Sequence, residues 1–249
     1  MSKIETPVLG DSNLLEVLTR RADRRDFLKY TGAGVATLVV VGCDEETQTI
    51  VEVTPPDTII EEVPPPPESV TIDLSNDTGV LNFAYALEQL EAAFYIQVAR
   101  GFYSGATTEE QRVLIDLRDH EVAHREFFRT ALAGNAIIDL TVDFSAIDFG
   151  SRDSVLVTAR TFEDLGVRAY NGAGPFLQSA DFLVLAGKIV SVEARHASAI
   201  RDLIAPKSGE QGEGGSSFAP FAFDEGLDPQ SVLDAAQPFI ANEITLTGV

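Results

Sequence analysis

Four stretches of this chain repeat apolar residues at alternating steps of three and four, and each places a carboxylate or an imidazole on the repeating stripe. The first runs Leu81, Ala84, Glu88, Glu91, Tyr95, Val98. The second runs Leu114, Leu117, Glu121, His124, Phe128, Ala131. The third runs Leu156, Ala159, Glu163, Gly166, Tyr170. The fourth runs Ile189, Glu193, His196, Ile200, Leu203. A stripe of this period faces the core of a packed bundle. Charged groups on such a seam are costly unless they pair with one another or hold a metal.

Punctuation residues bound each stretch. Ser75-Asn76-Asp77 offers N-cap oxygens to a helix that reaches about Arg100, with Gly101 closing it. Thr107-Thr108-Glu109-Glu110 opens a second helix, which reaches Ala133 and stops at Gly134-Asn135. Ser151-Arg152-Asp153 opens a third, broken at Gly172-Ala173-Gly174-Pro175. Ser179-Ala180-Asp181 opens a fourth, which ends near Ala205-Pro206. Short turns join the first pair and the last pair. About 16 residues, Asn135–Gly150, join the second helix to the third. At roughly 3.3 Å per residue they reach about 50 Å, the length of a bundle. The expected fold is all-α, a four-helix bundle with one long middle crossover. Alternation in Ile137-Ile138-Asp139-Leu140-Thr141-Val142 places the crossover along the bundle's side.

The two halves repeat each other. Glu88 precedes Tyr95 by seven residues, as Glu163 precedes Tyr170. Glu121-x-x-His124 recurs as Glu193-x-x-His196. A carboxylate and an imidazole three apart on a helix point the same way. Two such pairs and two single glutamates converge on one point. The expected metal ligands are therefore Glu88, Glu121, His124, Glu163, Glu193 and His196. Glu91 corresponds to Gly166 in the repeat, so it stands as an additional ligand in reserve. Tyr95 and Tyr170 read as packing residues placed to hydrogen-bond the site. An oxygen-rich, part-imidazole set suits iron or manganese better than zinc. Two divalent ions would balance a charge of about −4 from four carboxylates. The competing reading is a buried ion-pair network served by Arg125, Arg195 and Arg201. His120 lies off the seam and reads as structural or exposed, with support of the site as its alternative role.

Four segments carry a family resemblance. They are Leu87-Glu88-Gln89-Leu90-Glu91-Ala92-Ala93-Phe94-Tyr95, His120-Glu121-Val122-Ala123-His124, Phe162-Glu163-Asp164-Leu165-Gly166 and Val192-Glu193-Ala194-Arg195-His196. From Leu81 to about Ile204 the chain resembles the ferritin-like superfamily, in particular exported bacterial members similar to plant desiccation-associated proteins. The resemblance implies a di-iron or di-manganese centre at the matching Glu and Glu-x-x-His positions. It implies ferroxidase, peroxide-scavenging or oxidase chemistry, with metal ions and a small oxidant as partners. The paired Glu-x-x-His segments look more like bacterioferritin or manganese catalase sites than like ferritin itself, and no cage is implied. The alternative is a non-catalytic envelope or desiccation protein that keeps the bundle for its own stability.

The N-terminal 42 residues read as an address. Arg24-Arg25-Asp26-Phe27-Leu28-Lys29 precedes an apolar run from about Tyr30 to Val41, too short to span a bilayer. The paired arginines resemble a twin-arginine export signal. Val40-Val41-Gly42-Cys43 resembles a lipobox, with Cys43 as the lipid-bearing residue of a membrane-anchored, outward-facing protein. Residues 43–70 are acidic and Pro-rich, including Pro64-Pro65-Pro66-Pro67, and read as a tether. The bundle is assigned to 71–206. Residues 207–249 are a Gly-rich segment followed by a short helix from about Pro229 to Ala236, with Phe218, Phe221 and Phe223 expected to dock on the bundle. Beyond residue 42 there are 12 basic against 34 acidic residues. That balance argues against nucleic acid and anionic lipid surfaces as partners. Cys43, the single cysteine, leaves no internal disulfide.

Overall fold

The computed structural model describes residues 67–205 and 223–249. The export signal, Cys43 and nearly all of the Pro-rich tether lie outside the described residues, as do Phe218 and Phe221.

Four long helices form the bundle: α1 (Asp77–Arg100), α2 (Thr108–Leu132), α3 (Arg152–Ala173) and α4 (Ala180–Ile204). Each start carries the cap read from the sequence. The Asn76 side chain accepts from Gly79 N, Ser151 from Ser154 N and Ser179 from Phe182 N. Thr107 and Glu110 form a reciprocal capping box. α2 ends at Ala133, whose φ of 48° lies in territory that favours glycine. Gly134, expected to make this turn, follows one residue later.

α1 packs along α2 and α3 along α4, and the two hairpins join through α1 against α3 and α2 against α4. The crossover between α2 and α3 runs beside α1, as its alternation implied. Two α1 amides seven residues apart hold it by mimicking backbone. Asn82 Nδ2 donates to Asn135 O at 2.9 Å, and its Oδ1 accepts from Ile137 N at 2.8 Å. Gln89 Nε2 donates to Ile138 O at 3.3 Å, and its Oε1 accepts from Leu140 N at 2.7 Å. Ile137, Leu140, Val142, Phe144 and Phe149 then pack against the core.

A small parallel sheet is added to the all-α bundle. β1 (Val70–Asp73) pairs with β2 (Ile244–Thr247) in the register Val70↔Ile244 through Asp73↔Thr247. Val70, Ile72, Ile244 and Leu246 point inward, and their neighbours point to solvent. The strand crosses the expected tether boundary at residue 70. Buried Asn242 ties three segments together: Nδ2 donates to Glu68 O and Oδ1 accepts from Thr141 N. α1 starts so close to β1 that a Cβ on Gly79 would sit 1.6 Å from Asp73 O.

The last helix, α5 (Pro229–Ala236), matches its expected span and packs on α3. Leu227 N donates to Arg168 O, and a Cβ on Gly172 would sit 1.8 Å from Leu227 O. The expected docking of Phe223 does not occur, since that ring is 86% exposed. Phe239 docks instead, edge-on to Phe162 at 4.9 Å between centroids. Among the described residues no helix is long and apolar enough to cross a membrane.

Apolar residues close the bundle on both sides of the acidic layer. Leu114, Leu117, Leu156, Ile200 and Leu203 lie to one side. Leu81, Phe128, Leu132, Phe182 and Ile189 lie to the other. The amide pins give a direct test of the crossover. Gln89→Leu strands Ile138 O and Leu140 N and is expected to cost about 1–3 kcal/mol in urea unfolding.

Candidate metal centre

The helix period brings all six expected ligands together at mid-bundle. Glu88, Glu121, Glu163 and Glu193 are each 0% exposed, and His196 is 3% exposed. His124 is the most open, with 14% of its side chain exposed. Two four-atom groups result, one from Glu88, Glu121, His124 and Glu193, the other from Glu121, Glu163, Glu193 and His196.

Glu121 and Glu193 belong to both groups and give one oxygen to each. Glu121 Oε2 lies 3.4 Å from His124 Nδ1, and Glu121 Oε1 lies 2.7 Å from His196 Nδ1. Glu193 Oε1 lies 3.0 Å from His124 Nδ1, and Glu193 Oε2 lies 3.5 Å from His196 Nδ1. Glu88 Oε2 serves only His124, at 3.4 Å, and Glu163 Oε2 serves only His196, at 3.3 Å. The remaining oxygens of those two glutamates are taken by tyrosines across the α1–α3 interface. Tyr170 Oη donates to Glu88 Oε1 at 2.5 Å, and Tyr95 Oη donates to Glu163 Oε1 at 2.6 Å.

Eight donor atoms are left buried and without a hydrogen-bond partner: Glu88 Oε2, both oxygens of Glu121, His124 Nδ1, Glu163 Oε2, both oxygens of Glu193 and His196 Nδ1. They are the same atoms that make up the two four-atom groups. Orphaned buried polar atoms are rare and expensive. Eight of them in two symmetric sets fit a pair of cations. The arginines of the competing ion-pair reading turn elsewhere. Arg125 pairs with Glu126, Arg195 hydrogen-bonds Ser191, and Arg201 pairs with Asp164.

Without cations, protons do part of the balancing. Burial opposes charge on His196, but Glu121, Glu163 and Glu193 outweigh it and hold the imidazole up to about 12. His124 is raised in the same way by Glu121, Glu193 and Glu88. Burial pushes Glu121 up to about 8 and Glu163 up to about 7. Glu193 is the exception. Burial works against its charge, yet the imidazoles of His124 and His196, 3.0 and 3.5 Å away, bring it down to about 2. Burial, reinforced by the four other carboxylates, raises Glu91 well above the ordinary range. Burial and the nearby carboxylates also raise Tyr95 and Tyr170, which therefore stay protonated donors.

Glu91 stands outside both four-atom groups but beside them. A Cβ on Gly166 would lie 3.0 Å from Glu91 Oε1 and 3.8 Å from Glu193 Oε2. The missing side chain on α3 is what makes room for the extra carboxylate on α1. His120 is exposed, as expected, yet its Nδ1 lies 2.8 Å from His196 Nε2. Its sequence signal is its position four before His124. It therefore borders the seam without lying on it. On the far side of Glu88, an apolar cavity of about 30 Å³ is walled by Leu87, Phe127, Phe128, Phe182 and Ile189 and reaches Tyr170.

The sequence model of a family described as a ferritin-like domain matches residues 76–206, more than half of the 249 residues. The chain belongs to this ferritin-like family. The matched span begins at the α1 cap and ends just beyond α4, so it contains every residue of the centre. A search of curated proteins finds no match.

This ferritin-like site makes stability depend on pH with a definite sign. Glu121, Glu163 and His196 all have raised pKa values, so the folded metal-free chain holds more protons than the unfolded one. Their contribution is complete below the unfolded values and is lost as pH rises through the folded ones. Glu193 acts in the opposite sense, but only as pH falls toward about 2. Thermal melting in chelator is therefore expected to fall between about pH 5 and pH 8. The rise in melting temperature on adding Mn(II) is expected to grow over the same range, because cations displace those protons.

Proposed function

We propose that this ferritin-like protein is exported and holds two iron or manganese ions between Glu88, Glu121, His124, Glu163, Glu193 and His196. There it turns over a small oxidant, oxidising Fe(II) or consuming peroxide or dioxygen. The observation that carries this reading is the set of eight orphaned donor atoms in two groups of four. When bound, the ions supply Lewis acidity and redox equivalents. Three oxygens to one nitrogen in each group would disfavour a structural zinc site, which prefers sulfur and nitrogen.

The side chains have separable tasks. Glu121 and Glu193 would hold both ions, because each turns one oxygen toward each imidazole. Tyr95 and Tyr170 pin the free oxygens of Glu163 and Glu88, so each terminal carboxylate presents one oxygen inward. Burial and the four neighbouring carboxylates favour the protonated form of Glu91 beside the centre. The apolar layers above and below exclude bulk water. The acidic chain favours cations over anionic substrates.

Two experiments test the reading. Protein produced with iron and manganese supplied is expected to carry up to two of these ions per chain by elemental analysis, and to turn over ferrous iron or peroxide. Folded protein without either metal sinks the proposal. Glu121 is mostly protonated at pH 7, so Glu121→Gln resembles the metal-free state and is expected to change its stability by less than about 1 kcal/mol. The same variant is expected to lose the metal-dependent rise in melting temperature and the turnover. Export and tethering rest on the Arg24-Arg25 signal and on Cys43. Cys43→Ser is expected to move the protein from the membrane fraction to the soluble fraction, and an unchanged distribution refutes lipidation.

A further inference from the structure

His120 is the only histidine outside the two four-atom groups. Its ring lies nearly parallel to that of His196, at 14° between planes, and meets it edge to edge with the centroids 5.1 Å apart. His120 Nδ1 lies 2.8 Å from His196 Nε2. His196 turns its other nitrogen, Nδ1, to Glu121, Glu163 and Glu193. A neutral imidazole carries one N–H. With Nδ1 committed as a ligand, that hydrogen must sit on Nε2, and His196 Nε2–H donates to His120 Nδ1.

The repeat shows that this support is one-sided. The residue four before His124 is His120, but the residue four before His196 is Val192. Thus α2 supplies a hydrogen-bond acceptor to the imidazole of α4. α4 offers a valine at the equivalent place, with no polar atom on its side chain. The ligands of the two halves match, and their supports do not.

We infer that His120 is a positioning residue that fixes His196 in its metal-binding tautomer and makes the two ion positions unequal, the position at Glu163 and His196 binding more tightly than the one at Glu88 and His124. This inference rests on the two-ion reading of the site. A hydrogen bond to the outer nitrogen of a ligating histidine orients the ring and raises its basicity, and its loss typically costs 10–100-fold in affinity.

The test titrates the full, metal-free chain with Co(II), following heat and the visible absorption of the bound ion. His120→Phe keeps an aromatic ring and removes the acceptor. His120→Asn restores an acceptor near the position of Nδ1. The wild type is expected to bind Co(II) in two unequal steps. His120→Phe is expected to weaken the tighter step by about 10–100-fold, to shift the absorption of the first ion bound, and to leave the weaker step in place. His120→Asn is expected to recover most of the loss. His120 is exposed, so the metal-free melting temperature is expected to hold in both variants; should the Phe variant misfold, His120→Ala takes its place. Equal steps in the wild type overturn the inference. So do unchanged steps and spectrum in the Phe variant, or equal losses in the Phe and Asn variants. A wild type that binds no Co(II) overturns the two-ion reading itself.

Discussion

The interior of this bundle is organised around an electrostatic cost. Five carboxylates, from Glu88, Glu91, Glu121, Glu163 and Glu193, are buried close together with two imidazoles. No apolar packing offsets mutual repulsion of that size, so the charge must be neutralised where it arises. The fold does this in layers. The two imidazoles face the two bridging carboxylates. Two tyrosines reach across from the opposite hairpin to the terminal carboxylates. The Tyr95–Glu163 and Tyr170–Glu88 bonds also join α1 to α3, so the same contacts that order the site hold the hairpins together. What protons leave unbalanced, cations would complete.

The outer elements serve that layer by holding the helices in register. Bridging carboxylates work only if α2 and α4 keep their relative height, because Glu121 and Glu193 must each reach both imidazoles. The crossover runs the length of the bundle and is pinned to α1 at two heights by Asn82 and Gln89. Its far side is tied through Asn242 to the segment before β1 and to the chain after α5. The sheet, the crossover and α5 thus form a brace along α1 and α3, the two helices that carry the terminal ligands and the tyrosines.

Much of this was legible in the sequence for a specific reason. Helical period, capping residues and an internal repeat are local or self-referential signals, and they placed α1 to α4, the crossover and the six convergent side chains. The division of labour among those six was not legible. Glu121 and Glu193 look like any Glu-x-x-His glutamate, and only the packing of α2 against α4 shows that each gives one oxygen to each group. Nothing local marks Asn82 and Gln89 as pins, because their partners are backbone atoms about fifty residues away. Strands of four residues separated by about 170 positions carry no local energy of their own, so V-T-I-D fell unmarked across the tether–bundle boundary and I-T-L-T within the C-terminal segment. The Phe223 expectation failed because aromatic content does not say which ring docks. Phe239, held beside β2, had the short connection that Phe223 lacked.

The repeat is informative where it fails. A bundle built from two copies of one hairpin would bind two equivalent ions, and the six ligands with their two tyrosines keep that symmetry. Two positions near the centre break it. Glu91 faces Gly166 instead of a second glutamate, and steric room explains this, since any side chain on Gly166 would press on Glu91 Oε1. His120 corresponds to Val192, and no steric argument requires that exchange, because position 120 is exposed. Both departures place a polar group on the first hairpin where the second has a valine or no side chain. The centre therefore has a chemically distinct side although its ligands are symmetric.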